Sequence, residues 1–122
     1  MTAFLVNSTR KVVLSQRGKV LRGASMALGA MFRGLAGEGL VFVWWREARI
    51  AITNLFVPEP IDILWLDSSW KVVDLHSRFA AGAWSTTNKR PAKYVVELAA
   101  GTLAKTKTKV GDTITCSTFK KP

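Results

Sequence analysis

Ile61-Asp62-Ile63-Leu64-Trp65-Leu66, then Asp67-Ser68-Ser69, then Trp70-Lys71-Val72-Val73-Asp74-Leu75, is the stretch from which the fold is read most directly. Its first part is apolar except for Asp62. A run this short, bounded by Pro60 and a polar triplet, reads as a strand covered on both faces rather than as a helix. Asp67-Ser68-Ser69 suits a tight turn, because short side chains bearing oxygen bond their own backbone there. Trp70 to Leu75 then returns as a second strand, and the whole stretch predicts a hairpin.

Working outward, Leu40 to Trp45 is another continuous β-branched and aromatic run. The polar turn Arg46-Glu47-Ala48-Arg49 leads from it into an expected strand at Ile50 to Val57. Pro58 and Pro60 remove two backbone donors, so that segment reads as an edge, a bend or a crossover. Upstream, Ala3 to Val6 and Lys11 to Leu14 flank Asn7-Ser8-Thr9-Arg10 as a second hairpin. Between the hairpins, Leu21, Ala24, Ser25, Leu28 and Phe32 recur at helical spacing. This predicts an amphipathic helix over roughly Lys19 to Arg33, ended by Gly34. Downstream, residues 77–93 lack periodicity and read as a long connection. Tyr94 to Leu98 reads as a strand, Ala100 to Lys109 as a short helix and Thr113 to Ser117 as a last strand after the Gly111-Asp112 turn.

The pattern is mainly β: a single barrel-like or sandwich domain of about eight short strands with one amphipathic helix packed over it. Residues 1–122 form one domain in this reading, with a short basic tail at residues 117–122. Hydrophobic residues make up 48% of the chain, enough for a core, which excludes a disordered polybasic segment. One Cys and one His exclude a disulfide framework and the usual Cys/His zinc patterns. No apolar stretch approaches the roughly 20 residues of a spanning helix, and the first fifteen residues lack a signal-like apolar segment. A cytoplasmic protein without membrane contact is expected. The formal charge of +10 is uneven: residues 1–37 carry +6, residues 38–76 carry −3 and residues 77–122 carry +7.

An ordered series of motifs sharpens the reading. Gly29-Ala30-Met31-Phe32-Arg33 is followed by Gly39-Leu40-Val41-Phe42-Val43, then by Pro60 to Asp67 with Lys71-Val72-Val73. Pro91-Ala92-Lys93-Tyr94-Val95-Val96-Glu97-Leu98, Ala100-Gly101 and Val110-Gly111-Asp112 complete it. Over about residues 4–116 the chain resembles the family called domain of unknown function 192, or uncharacterised protein family 0127, in its archaeal type. The resemblance implies a mostly β domain with a helix ending at Met31-Phe32-Arg33, and supplies no activity. Two positions depart from the family pattern: Leu28 stands where members usually carry Arg, and Thr53-Asn54 stand where archaeal members often carry His-Met.

Asp62 is the most informative acid, because a carboxylate in an apolar strand needs a cation or several N–H donors. Structurally it would cap a turn or pair with Arg33; functionally it would contact a ligand. Glu97 interrupts Val95-Val96 and Leu98 and raises the same question, so an Arg33–Glu97 or Arg33–Asp62 pair is expected. The favoured function is non-catalytic binding of a small ligand or a protein partner, with anionic or phosphate-bearing ligands preferred. Its expected site comprises Arg33, Asn54, Pro60, Asp62 and Glu97, beside the loop at residues 77–90. A small enzyme using Asp62 with His76 is an alternative, without a second His or a Gly-x-Ser-x-Gly elbow to support it. A nucleic-acid module is another, using Lys89, Arg90, Lys93, Lys105, Lys107 and Lys109, with Trp84 as a stacking group. The same lysines also suit a solvated surface that blunts sheet edges. The remaining tryptophans and Cys116 read as core, and neither a metal site nor a cofactor is expected.

Overall fold

The computed structural model describes residues 3–22, 38–53 and 58–119. Among them are β1 (Leu5–Asn7), β2 (Val12–Ser15), β3 (Gly18–Arg22), β4 (Gly39–Ala48), β5 (Ile61–Leu66), β6 (Val72–Phe79), β7 (Ala92–Ala99), α1 (Thr102–Thr106) and β8 (Ile114–Cys116). The long apolar runs form the middle of a five-stranded sheet ordered β3-β4-β7-β5-β6. Only β3 and β4 in that sheet run parallel; the other neighbours are antiparallel. A smaller sheet, β2-β1-β8, packs over one face.

Continuous apolar sequence is explained by burial on both sides. Every residue of β5 is buried. On one face Val41, Leu64, Leu66, Val96 and Leu98 meet Leu5, Leu14, Ile114 and Cys116 of the small sheet. On the other face Leu40, Phe42, Ile63, Trp65 and Val95 pack with Ile50 and Phe79. Trp65 Nε1–H donates to the Ile50 carbonyl at 2.9 Å, tying the overlying segment to the central strand. The architecture is therefore a sandwich. The isolated bridge between Lys71 and Thr113 links the two sheets, which are not closed into a barrel.

Both hairpins form. The β5–β6 turn is held by Asp67 Oδ1, which accepts from the backbone N–H groups of Ser69 and Lys71 at 2.9 and 3.0 Å. Several expectations are corrected. Lys19 to Arg22 belong to β3 and not to a helix, because Val20 and Leu21 each pack on a different core across the sheet. The rest of that expected helix, residues 23–33, lies outside the described residues. Arg46 to Ala48 continue β4 through a register shift instead of turning. Ser77 to Phe79 and Ala92 to Lys93 are likewise in strands, which shortens the connection to residues 80–91.

Residues 50–53 make one isolated bridge, Ile52 to Thr86, in place of the strand expected from Ile50 to Val57; residues 54–57 are outside the described set. At the other end, Ser117–Phe119 form a turn of 3-10 helix. Phe119 packs on Trp70, with ring centroids 5.0 Å apart, so the expected tail begins later than residue 117.

One close approach sets the junction of the two sheets. A Cβ on Gly18 would lie 2.0 Å from the Gly39 carbonyl oxygen and 2.5 Å from the Phe4 ring. Gly18→Ala must therefore push β3 away from β4, and a loss of about 3 kcal/mol is expected from such overpacking. A urea unfolding midpoint unchanged by that substitution would contradict the packing described here.

Candidate functional site

Asp62 lies on the face of β5 that meets the small sheet and is fully buried. Its two oxygens are used separately. Oδ1 accepts from the Arg78 backbone N–H at 2.8 Å, and Oδ2 from the Leu103 backbone N–H at 2.8 Å. Arg78 needs this partner because it sits at φ 54°, where the end of β6 leaves its regular ladder. Leu103 needs it because α1 starts at Gly101, φ 95°, which has no side chain to cap the helix. A single carboxylate thus fixes the end of β6 against the start of α1.

A groove of about 360 Å³ opens between those two elements and the β1–β2 turn. Leu75, Leu103 and Ala104 supply apolar surface; Arg10, Lys107 and Lys109 supply three cations; Ser77 and Thr108 supply hydroxyls. No acidic residue lines it. Beneath its cationic rim lies a buried polar network. Asn7 Nδ2 donates to Thr108 Oγ1 at 3.1 Å and to Asp112 Oδ2 at 2.9 Å. Arg10 Nε–H donates to the same Asp112 oxygen at 2.6 Å, and Lys109 N–H does so at 3.0 Å. Burial works to raise the Asp112 pKa, but the hydrogen bonds from Asn7, Arg10 and Lys109 outweigh it and hold the carboxyl below its usual value. The network orients Arg10 through Nε. No acceptor among the described residues takes its terminal Nη groups.

Glu97 is placed differently. Register pairs Asp62 with Leu98 and Ile63 with Glu97, so the two acids point to opposite faces of the sheet. Glu97 is 5% exposed, with Leu40 of β4 and Ile63 of β5 directly opposite. Among the described residues it has neither a hydrogen bond nor an ion pair. Burial alone pushes its pKa up to about 7.

The described members of the expected ligand site, Asp62, Pro60 and Glu97, do not lie on one face of the sheet. Asp62 and Glu97 are separated by the sheet, Pro60 is exposed ahead of β5, and Arg33 and Asn54 lie outside the described residues. His76 is opposite Ile63, on the Glu97 face, so Asp62 and His76 do not converge; His76 Nδ1 is instead 2.8 Å from Thr86 Oγ1. The basic residues divide into two groups. Lys105, Lys107 and Lys109 surround α1, whereas Lys89, Arg90 and Lys93 lie at the start of β7. Arg10 was missed by sequence reading: it looked like a turn residue, and only its polar turn Asn7-Ser8-Thr9-Arg10 hinted at a network. Trp45, expected in the core, is 74% exposed.

Two outcomes test these placements. Asp62→Asn keeps the shape but turns one acceptor into a donor facing an N–H. It should cost about 2 kcal/mol, with faster amide exchange at Leu103 and Arg78. Glu97 should make stability fall as pH rises. Its native pKa of about 7 lies above the ordinary value of 4.5, so the stabilising effect of its proton is complete below 4.5 and is lost as pH rises through 7. The total is about 3 kcal/mol. Glu97→Gln should flatten that part of the stability curve, while Asp112 acts only at more acid pH and in the opposite sense. A curve for Glu97→Gln that still falls by this amount between pH 5 and about 8 would refute the assignment.

Comparisons with known proteins agree with the fold and the motif series. A UPF0127 protein of Pyrococcus furiosus is 40% identical over 88 residues, covering 70% of this chain and 72% of that one. A solved protein of unknown function from Novosphingobium aromaticivorans superposes with a TM-score of 0.76 at 21% identity, covering 83% of this chain and 74% of that chain. A solved protein from Sinorhizobium meliloti gives 0.77 at 18% identity, covering 96% and 98%. These structures share the sandwich, and at such identities they speak to fold alone. No helix among the described residues is long and apolar enough to cross a membrane. Residues 21–116 match the model of DUF192, described as Uncharacterized ACR, and the chain belongs to that family of unknown function.

Proposed function

We propose that this domain binds a small anionic ligand with an apolar portion in the groove between β6, α1 and the β1–β2 turn. The observation that carries the reading is the convergence of Arg10, Lys107 and Lys109 around Leu75, Leu103 and Ala104, with no acid in the lining. A phosphate or carboxylate suits the cations, since charge-assisted hydrogen bonds to guanidinium and ammonium groups are the strong ones. The apolar floor suits a short hydrocarbon or ring, and the volume is within the range of small-molecule sites. Asp62 enters as a positioning residue: it holds together the two walls and touches the ligand through neither oxygen.

Hexyl phosphate, hexanol and inorganic phosphate separate the two halves of the recognition. In an NMR titration, hexyl phosphate should shift Leu75, Leu103 and Thr108 saturably and at lower concentration than either of the others. Lys107→Ala and Lys109→Ala should each weaken it about two- to fivefold, the scale of an exposed ion pair. Added salt should weaken it further. Equal shifts with hexanol, or no effect of either lysine substitution, would sink the reading.

A further inference from the structure

The other basic group lies apart from the groove and is organised by a single buried side chain. Asn88 is 1% exposed and sits between two segments. Its Oδ1 accepts from Ile50 N–H at 2.8 Å, and its Nδ2 donates to the Ala48 carbonyl at 3.1 Å and to the Arg90 carbonyl. Residues 48–50 and 88–90 are thereby locked side by side. Arg49 projects between two of these anchors and reaches the Lys89 carbonyl at 3.5 Å. Pairing of Ala48 with Ala92 closes β4 onto β7 at the same end, where Lys93 follows. Five cations thus share one end of the sheet: Arg46, Arg49, Lys89, Arg90 and Lys93.

Two acids lie nearby, Glu47 and Asp74, and Lys93 acts on Glu47 through its charge. Glu47 is occupied by the N–H and hydroxyl of Ser68, at 2.9 and 2.8 Å. Asp74 accepts from the backbone N–H groups of Leu75 and Lys89. No described carboxylate forms an ion pair with any of the five. Beside them, Trp45 is 74% exposed, with the Arg46 guanidinium carbon 4.5 Å from its ring centroid. An indole left in water costs apolar exposure, and here it stands against the Arg46 guanidinium on β4. Positive charge next to an open aromatic ring is the combination that tracks a phosphate backbone while stacking an unpaired base.

We propose that this surface binds single-stranded nucleic acid, with a base stacked on Trp45 and the flanking phosphates held by Arg46, Arg49, Lys89 and Arg90. A duplex hides its base faces and gains nothing from the indole. A membrane would want a broader apolar face; of the other exposed large hydrophobic side chains among the described residues, Val13 and Val110 belong to other segments and Trp84 to the connection that carries Lys89 and Arg90. The inference is independent of the groove.

Fluorescence anisotropy with a labelled oligouridylate, its duplex with oligoadenylate, and anionic phosphatidylglycerol vesicles tests it. The single strand should bind more tightly than the duplex, with log affinity falling linearly in log salt by about 0.7 per phosphate held. Trp45→Ala should weaken it about tenfold, and Arg49→Ala should lower the salt slope. Trp45 and Arg49 are exposed, so both variants should keep the parent melting temperature. Lys107→Ala with Lys109→Ala should leave this binding unchanged. The proposal is overturned by no binding at low salt, by indifference to Trp45→Ala, by loss of binding on removing Lys107 and Lys109, or by tighter binding to vesicles than to the oligonucleotide.

Discussion

The Asp62 carboxylate, shut away from water between β6 and α1, must find a donor for each oxygen, and the backbone amides of Arg78 and Leu103 are those donors. Much of the local architecture depends on this arrangement. Arg78 stands in a left-handed conformation and Gly101 opens α1 without a capping side chain. Both ends are irregular, and neither has its own solution to the unpaired amide. Leaving such amides buried and unsatisfied costs as much as the hydrogen bonds themselves. One side chain therefore replaces a local cap with a long-range one, and the groove walls inherit their spacing from it.

The central sheet treats its two buried acids unequally. Asp62 is bonded at both oxygens, whereas Glu97 on the opposite face lies between Leu40 and Ile63 and has no partner among the described residues. Desolvation is the sole cause of its raised pKa, because burial penalises the charged form. An acid kept in that condition weakens the fold whenever it ionises. The physical contrast is of hydrogen bonding, not of burial, since both side chains are almost wholly removed from water.

The net charge of +10 also resolves into places. Arg10, Lys107 and Lys109 border a groove with an apolar floor, and a second group surrounds an exposed indole held on β4. Of the acids near these groups, Asp112 forms an ion pair with Arg10 at 2.6 Å, while Glu47 and Asp74 accept from backbone amides.

Apolar runs and turn chemistry determined most of the strands, both hairpins and the family, because those signals are local and their period is written in consecutive residues. Lys19 to Arg22 escaped that logic: their spacing fits a helix, but the chance to pair with β4 and pack Val20 and Leu21 against the two cores decided for a strand. The sites escaped it more completely. Asp62 and Glu97 look alike in sequence, each a lone acid in an apolar run, and a single step of register sends them to opposite faces. Arg10 meets Lys107 and Lys109 only because β1 lies beside β8 and the turn before it. Composition determined that the chain would be basic; tertiary structure alone decided where that charge converges, because distance along a chain sets no distance in space until strands pair.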